Sequence, residues 1–257
     1  MLLAVDIGNT NIVIGLHEED EWLHTWRVQT LTGRTSDEYS IILDSLFAQS
    51  NARPADVDKA IISSVVPQLT STFRSILHRK TGFEPLVLDG TLDTGIAVPG
   101  RDPKSIGADL LADAVAAYQH FGTTCIVVDF GSATTVMAVD EPGVLLGGAI
   151  GSGLKITTDA LVERTAQLTQ IPLEPPQKAI GGNTVEAMKS GLVLGHLCMV
   201  EGLIDRMRNE LGKPARVIAT GGLSSTIAPY TEYFDALDPM LTLNGMRIVA
   251  ERVKKQA

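Results

Sequence analysis

The sequence predicts an α/β protein made of two similar halves, and three observations support that prediction. Apolar runs of strand length alternate with helical patterns along the chain, which is typical of layered α/β architectures. A short motif occurs twice, at residues 4–11 and 127–134, where an apolar run ends in Asp-x-Gly, passes through small hydroxyl or amide residues and enters a second apolar run. At 257 residues and 44% hydrophobic content, the chain can bury two moderate cores. The repeat therefore favours two domains with the same plan.

The elements of the first half follow from periodicity and from turn and cap residues. A capping-box pattern from Thr35 to Glu38 predicts a helix start, and Pro67 predicts the first residue of a second helix. An Ala-rich run at 108–118 predicts a third helix, after a loop rich in Gly, Pro and charge at 95–104. The predicted strands are 2–7, 12–16, 21–28, 60–65 and 85–88.

The second half repeats this plan. Apolar runs predict strands at 125–129, 135–139, 144–150 and 216–220. Helices are predicted to begin at Leu154, Thr184 and Met246.

Charge and cysteine content exclude several classes of protein. A net charge of -9 argues against nucleic acid as a partner, because phosphate backbones require clustered Lys and Arg. Cys125 and Cys198 lie in apolar strand-like and helix-like runs, which predicts buried reduced thiols and a cytoplasmic location. The first residues predict a strand and not a signal peptide, and we expect no apolar stretch long enough to span a membrane.

The repeated Asp-x-Gly turn indicates an anion site. Glycine lets backbone N–H groups approach a phosphate, while Asn, Ser and Thr side chains add donors. A carboxylate beside such a cradle commonly holds a cation or a water. For a single copy, an Asx turn in a hairpin explains the pattern equally well. The second copy favours a clamp for nucleotide phosphates.

Five motifs, in this order and spacing, make the chain resemble the type III pantothenate kinases. The motifs are Asp6-Ile7-Gly8-Asn9-Thr10-Asn11, Gly107-Ala108-Asp109, Asp129-Phe130-Gly131-Ser132-Ala133-Thr134-Thr135, Asn183-Thr184-Val185-Glu186 and Thr220-Gly221-Gly222. The resemblance implies two ribonuclease H-like domains of the acetate and sugar kinase, Hsp70 and actin type, which we place at 1–118 and 119–257. It also implies ATP-dependent phosphorylation of pantothenate to 4'-phosphopantothenate, the first step of coenzyme A biosynthesis.

The same resemblance implies a role for each motif. Asp109 is the expected catalytic base, Asp6 orients Mg²⁺ directly or through water, and Asp129 holds a monovalent cation, K⁺ or NH₄⁺. The residues expected to bind ATP are Asp6, Gly8, Asn9, Thr10, Asn11, Ser132, Gly221 and Gly222. The residues expected around the acceptor are Gly107, Ala108, Asp109, Leu110 and Thr184. Family members are homodimers, so we expect a homodimer with Thr184 near its interface.

Simpler structural roles exist for two of these positions and for a neighbouring acid. Asp109 is also explained as a cap or first-turn acid at a helix N-terminus, and Thr184 as an N-cap. Asp113, one turn after Asp109, is expected to be a solvated helix acid. The five histidines lack partners at metal-ligand spacing, which predicts structural or exposed side chains.

Four positions depart from the family pattern. Leu110 follows Asp109 where the family has arginine, and Gly100 stands where the family has tyrosine; Arg101 is a candidate to supply the missing charge. Ser152 replaces a proline in a glycine-rich loop, and Ser132 replaces a threonine while keeping the hydroxyl. The acceptor-side changes leave open an alternative, a paralogue that phosphorylates another acceptor or a regulatory nucleotide-binding protein with little kinase activity.

Overall fold

The computed structural model describes residues 1–100 and 102–254. The chain forms two compact units. The first contains Met1–Ala116 together with the C-terminal segment from Thr242, and the second is Ala117–Leu241. Arg101, the candidate for a compensating charge, lies outside the described residues.

The first unit is built on a sheet with the strand order β3-β2-β1-β4-β5 within the described residues. β1 pairs antiparallel with β2, which pairs antiparallel with β3, whereas β1 pairs parallel with β4 and β4 with β5. The strands are β1 Leu2–Ile7, β2 Asn11–Glu18, β3 Glu21–Gln29, β4 Lys59–Ser64 and β5 Leu86–Val87. The helices of this half are α1 Ser36–Gln49, α2 Pro67–Thr81 and α3 Ala108–Phe121, with short 3₁₀ turns at Pro54–Asp56 and Pro103–Ser105.

The second unit repeats the arrangement with the order β10-β9-β6-β7-β8 in the part of the chain that is described. β6 pairs antiparallel with β7 and parallel with β9, as β1 does with β2 and β4. The strands are β6 Cys125–Phe130, β7 Ala133–Asp140, β8 Val144–Ser152, β9 Arg216–Thr220 and β10 Ala236–Leu237. The helices of this half are α4 Leu154–Glu163, α5 Thr184–Lys189, α6 Gly195–Leu211 and α7 Ser224–Ile227. A π-helical turn at Ser190–Leu194 joins α5 to α6, and a 3₁₀ turn spans Ala228–Tyr230. The last helix, α8 Leu241–Lys254, belongs to the first unit from Thr242 onward.

Each sheet buries an apolar core against its helices. In the first unit, residues of β1, β2 and β4 pack with buried side chains of α1 and α2, among them Tyr39 and Phe73, whose ring centroids lie 5.0 Å apart. In the second unit, residues of β6, β7 and β9 pack against α4 and α6. The repeated topology confirms the predicted α/β fold with two halves of the same plan.

The C-terminal helix α8 packs on α3 in the first unit, whereas the sequence placed residues 242–257 with the second domain. A Cβ on Gly245 would lie 1.9 Å from the Ala112 carbonyl oxygen, so glycine is required for this close approach of the two helices. The Trp22 indole also donates to the Asn244 side chain at 2.8 Å. These contacts join residues far apart in sequence, which is why local patterns did not reveal them. α8 also begins five residues before the predicted Met246.

One helical segment, Thr184–Leu211, is by length and composition alone apolar enough to cross a membrane, among the residues that the structure describes. The expectation that no stretch qualifies is therefore wrong on that criterion. A core helix meets the same criterion, and the buried side chains of this segment, including Val193, Leu197, Val200 and Ile204, belong to the core of the second unit.

Candidate active site

The first phosphate motif is the tight turn between β1 and β2. The Gly8 N–H donates to the Asn11 carbonyl at 3.0 Å, and a Cβ on Gly8 would lie 3.1 Å from that oxygen. Asn9 and Thr10 are exposed at the tip of the turn. Their amide and hydroxyl groups are therefore positioned to donate to a ligand.

Asp6 lies at the end of β1, beside β4. Its Oδ1 accepts a hydrogen bond from the Ser63 hydroxyl at 2.8 Å, because Asp6 and Ser63 are partners in the parallel register. The pair presents a carboxylate and a hydroxyl, which are hard oxygen donors. Mg²⁺ is usually held by one or two carboxylates together with substrate phosphates, so these residues fit such an ion. No group of three or more His, Cys, Asp or Glu side chains forms a ready-made metal site in the described parts of the chain.

Asp109 lies in the first turn of α3 and its carboxylate folds back over Gly107. The Leu110 N–H donates to Asp109 Oδ1 at 2.8 Å, and a Cβ on Gly107 would lie 2.6 Å from the same oxygen. Glycine at position 107 therefore leaves the space that this carboxylate occupies. Burial raises the pKa of Asp109 against the opposing effect of the backbone hydrogen bonds. A carboxylate with a raised pKa is suited to accept a proton from a hydroxyl.

The acid one turn later has a different environment from the predicted one. Asp113 is fully buried, and its Oδ1 accepts a hydrogen bond from the Thr242 hydroxyl of α8 at 2.7 Å. The expected solvated helix acid is therefore wrong. α8 covers this face of α3, and that packing is a long-range contact.

The second phosphate motif holds Asp129 between two glycines of the second unit. Asp129 pairs with Thr220 in the parallel register of β6 and β9, so Gly221, the next residue, lies directly beside the carboxylate. A Cβ on Gly221 would lie 2.2 Å from Asp129 Oδ1, and one on Gly131 would lie 3.3 Å from Oδ2. Gly221 also has a φ of +91°, which favours glycine. Glycine is therefore required at position 221, and Gly131 also approaches the half-buried carboxylate closely.

Ser132 lies at the tip of this hairpin, and its backbone is held by a hydrogen bond from Gly153. Its carbonyl accepts a hydrogen bond from the Gly153 N–H at 3.0 Å, and a Cβ on Gly153 would lie 2.3 Å from that oxygen. Gly153 is the N-cap of α4, so the glycine-rich loop predicted between strand and helix packs directly on the phosphate turn. The departure at Ser152 therefore lies next to a glycine whose small size is required.

His196 is a site neighbour that the sequence did not identify. Its Nε2 lies 2.9 Å from the Thr134 hydroxyl, two residues after Ser132, and its ring is buried. Burial lowers the pKa of His196, which favours the neutral imidazole. The residue follows the π-helical turn and ties α6 to the start of β7. A lone histidine in an apolar helix carried no signal for this contact.

Thr184 is not the cap of its helix. Asn183 is the N-cap of α5 and accepts from the Glu186 N–H at 3.0 Å, while Glu186 Oε2 accepts from the Gly182 N–H at 2.8 Å. The Thr184 side chain is exposed and forms no hydrogen bond with the described residues. The N-cap explanation therefore belongs to Asn183, and the Thr184 hydroxyl can interact with a ligand.

The two cysteines differ in environment. Cys125 is buried in β6, and burial raises the pKa of its thiol to about 12. Cys198 is exposed on α6, so the expectation of a buried thiol is wrong there. Both are free thiols, and no disulfide joins them.

Comparison with known proteins gives a consistent result. A family model described as type III pantothenate kinase matches residues 2–206. A type III pantothenate kinase of Moorella thermoacetica (strain ATCC 39073 / JCM 9320) is 43% identical over 252 residues, covering 98% of this chain and 99% of the relative. Its coverage extends through the second phosphate motif and the Thr220-Gly221-Gly222 turn.

Solved structures of more distant proteins share the fold. A conserved putative Baf family transcriptional activator from Campylobacter jejuni superposes with a TM-score of 0.63 at 17% identity, covering 98% of this chain and 99% of that one. A putative N-acetylglucosamine kinase from Porphyromonas gingivalis gives a TM-score of 0.52 at 12% identity, with coverage of 96% and 99%. The activator of 2-hydroxyisocaproyl-CoA dehydratase from Clostridium difficile, solved with bound ADPNP, gives 0.54 at 12% identity, with coverage of 99% and 96%. At these identities the likeness concerns the fold.

Proposed function

The chain belongs to the type III pantothenate kinase family, and we propose that Asp109 is the base of its phosphotransfer reaction. The family and the activity predicted from the five motifs are confirmed. The enzyme transfers the γ-phosphoryl group of ATP to pantothenate, giving 4'-phosphopantothenate and ADP, in coenzyme A biosynthesis. The observation that supports the role of Asp109 is a carboxylate with a raised pKa, held over Gly107 at the start of α3.

The proposed reaction requires one proton acceptor and several phosphate contacts. Asp109 takes the proton of the primary hydroxyl of pantothenate as that oxygen forms a bond to the γ-phosphorus. The bond between the γ-phosphorus and the β,γ-bridging oxygen breaks, and ADP leaves with the electron pair. Positioning and charge stabilisation supply most of the rate enhancement in phosphoryl transfer.

Each unit contributes its own proposed contacts to ATP. In the first unit, Asn9, Thr10 and the backbone of the Gly8 turn donate to phosphate oxygens, and Asp6 holds Mg²⁺, which neutralises charge on the phosphates when it is bound. In the second unit, the Ser132 hydroxyl donates to the nucleotide and Asp129 holds K⁺ or NH₄⁺. The remaining proposed contacts are Asn11 to phosphate, Gly221 and Gly222 to the adenosine side, and Gly107, Ala108, Leu110 and Thr184 to pantothenate.

An ATP-consumption assay with and without pantothenate, in Mg²⁺ and potassium buffer, tests this assignment. Asp109→Asn should lower kcat by roughly 100-fold or more while nucleotide affinity stays near normal, because only the proton acceptor is lost. Asp37→Asn is the matched control, since Asp37 is an exposed acid in the first turn of α1. An unchanged kcat for Asp109→Asn would show that Asp109 is not the base. Nucleotide binding without pantothenate-dependent turnover in the unmodified enzyme would favour another acceptor or a regulatory role.

We further propose a homodimer that uses the outer face of the second unit. β8 is the edge strand of its sheet, and it exposes Leu146 and Ile150, with Ile150 73% exposed. Exposed Met199 of α6 lies beside the same strand, because a Cβ on Gly151 would contact its Cε at 3.5 Å. Apolar side chains on an open strand edge are commonly covered by a partner.

Light scattering at micromolar concentration tests the dimer. Ile150→Glu should shift the enzyme to a monomer, since it places a charge in the proposed interface. Leu237→Glu is the control, because Leu237 is an exposed apolar residue of β10 at the opposite edge of the same sheet. A monomeric unmodified enzyme with full activity would contradict the dimer.

A cytoplasmic location is also proposed, supported by the two free thiols.

A further inference from the structure

A cavity of about 490 Å³ adjoins the first phosphate motif and lies wholly within the first unit. Its wall is made by Asn9 of the phosphate turn, the segment 30–34 between β3 and α1, and Val66. We propose that Arg34 in this wall binds an anionic group of a substrate, either a nucleotide phosphate or the carboxylate of the acceptor. The inference rests on the proposed kinase function for the identity of these ligands.

The segment 30–34 is attached to the phosphate turn. The Thr30 hydroxyl donates to the Gly8 carbonyl at 2.7 Å, and the Thr30 N–H donates to the Thr10 carbonyl at 2.9 Å. These two hydrogen bonds therefore keep the start of the segment next to the turn that contains Asn9. Arg34, four residues after Thr30, lines the same cavity as Asn9.

Arg34 is positioned by local contacts. Its backbone N–H donates to the Leu31 carbonyl at 3.1 Å, and its guanidinium carbon lies 5.8 Å from the centroid of the Tyr39 ring. Tyr39 is buried, and its hydroxyl bonds both the N–H and the carbonyl of Leu31, at 2.9 and 3.0 Å. The aromatic ring thus supports one face of the guanidinium and limits its rotamers. Such a side chain loses less conformational freedom when it binds a ligand.

The charge around the cavity favours an anion. Among the described residues, no carboxylate forms an ion pair with Arg34; Glu38, four residues later, attracts it electrostatically, but the Glu38 carboxylate accepts hydrogen bonds from the N–H and hydroxyl of Thr35 at 2.7 and 3.0 Å. The lining residues include no acid in the described chain. Val66 directly precedes α2, a helix of 15 residues, and its N-terminal N–H groups add positive potential.

The location agrees with this chemistry. β1 and β4 run parallel, and the phosphate turn and Val66 follow their carboxyl ends. Ligands of open α/β sheets bind outside the carboxyl ends of parallel strands. An arginine at that place can form a bidentate contact with a phosphate or a carboxylate, since both present two oxygens to its planar fork.

Calorimetric titration of the intact enzyme tests the inference. The ligands are ADP, a non-hydrolysable ATP analogue, pantothenate, and the uncharged pantothenate analogue in which the carboxylate is reduced to an alcohol. The variants are Arg34→Gln, which removes the charge, and Arg34→Lys, which keeps the charge without the fork. Arg27→Gln is the matched control, because Arg27 is an exposed arginine of the preceding strand β3. Thermal unfolding of each variant confirms folding.

Arg34→Gln should raise the dissociation constant of one anionic ligand roughly 10- to 100-fold, the range of a lost charge-assisted contact, and Arg34→Lys should raise it less. If Arg34 contacts a phosphate, the dissociation constants of the nucleotides should rise. If it contacts the carboxylate, the dissociation constant of pantothenate should rise and that of the uncharged analogue should not. Nucleotide and pantothenate constants that match those of Arg27→Gln would overturn the inference. An unmodified enzyme that binds nucleotide without phosphorylating pantothenate would instead contradict the proposed function, and the nucleotide titration would still decide the role of Arg34.

Discussion

The Thr242 hydroxyl donates to the carboxylate of Asp113 at 2.7 Å, and this contact joins the C-terminal helix to the helix that begins with the proposed base. Asp113 is fully buried one turn after Asp109. The position of α3 is therefore determined partly by α8, whose residues come more than 120 positions later in the chain. Buried carboxylates are costly unless they are hydrogen-bonded, so this donor has a structural role.

Replacing the donor is expected to destabilise the first unit. Thr242→Val keeps the shape of the side chain but removes the hydroxyl, and it should lower the free energy of unfolding by about 1 to 3 kcal/mol. Urea unfolding measures the change. Thr72→Val is the control, since the Thr72 hydroxyl bonds only a carbonyl of its own exposed helix face, at 3.2 Å. Equal stability of the two variants would show that the buried contact contributes nothing.

Asp109→Asn is expected to be more stable than the unmodified enzyme at neutral pH. Burial raises the pKa of Asp109 in the folded state, so the folded protein loses stability as the pH rises through that pKa. The amide carries no charge and escapes this loss. The advantage of Asp109→Asn should therefore shrink as the pH falls towards about 4, the usual pKa of an aspartate. Urea unfolding at about pH 7.5 and about pH 4.5 measures the difference, and an advantage of Asp109→Asn that grows as the pH falls would contradict the prediction.

The pH dependence of catalysis should follow the same group. If Asp109 is the base, kcat/KM should fall as the pH falls through its pKa, which burial raises above its ordinary value. A rate profile with pantothenate measures this limb. A profile that stays flat down to the usual aspartate range would argue against Asp109 as the base.

Gly107→Ala is expected to impair catalysis more than stability. The new Cβ would lie 2.6 Å from Asp109 Oδ1, and the carboxylate is the group that can move. Displacing the base should lower kcat by roughly 10-fold or more, with little change in melting temperature. In an Asp109→Asn background the same substitution should have no further effect on kcat, and a double-mutant cycle tests this. Additive losses would mean that Gly107 acts independently of Asp109.

Gly221→Ala should destabilise the second unit. The residue has a φ of +91°, and a Cβ there would lie 2.2 Å from Asp129 Oδ1 and 2.6 Å from backbone atoms of Phe130. Strain and displacement together should cost about 1 to 3 kcal/mol in urea unfolding. Gly202→Ala is the control, because Gly202 lies in α6 with open space around it, and that change should be neutral or stabilising.

The monovalent cation makes a separate prediction for Asp129. Rates should be high in K⁺ or NH₄⁺ and low in Na⁺ alone, since ion size and dehydration determine the fit to the site. Asp129→Asn should lower the rate and remove the difference between the salts. Steady-state assays at constant ionic strength provide the measurement. Equal rates of the unmodified enzyme in K⁺ and Na⁺ would remove the cation from Asp129.

Local sequence was sufficient wherever a pattern carries its own geometry. The Asp-x-Gly turns of Asp6 and Asp129 lie at the ends of paired strands, as their alternation of apolar and turn residues predicted. The Thr35 and Glu38 capping box starts α1 as expected. These features depend on residues within a few positions of each other, so hydrogen bonding and propensity determine them before the chain folds.

The surroundings of those turns depend on contacts that form only in the folded chain. The α/β class, the duplicated plan and the motifs could be predicted from the sequence, because they depend on short-range periodicity and turn chemistry. The sequence did not reveal that Asp113 is buried under α8, that His196 bonds Thr134, or that Asn183 caps the helix beside Thr184. The first two are contacts between residues distant in the chain. For the third, both Asn183 and Thr184 are suitable N-cap residues, so the local sequence allowed either. Packing selects among such arrangements, because burying a polar group is favourable only where the folded chain brings a partner to it.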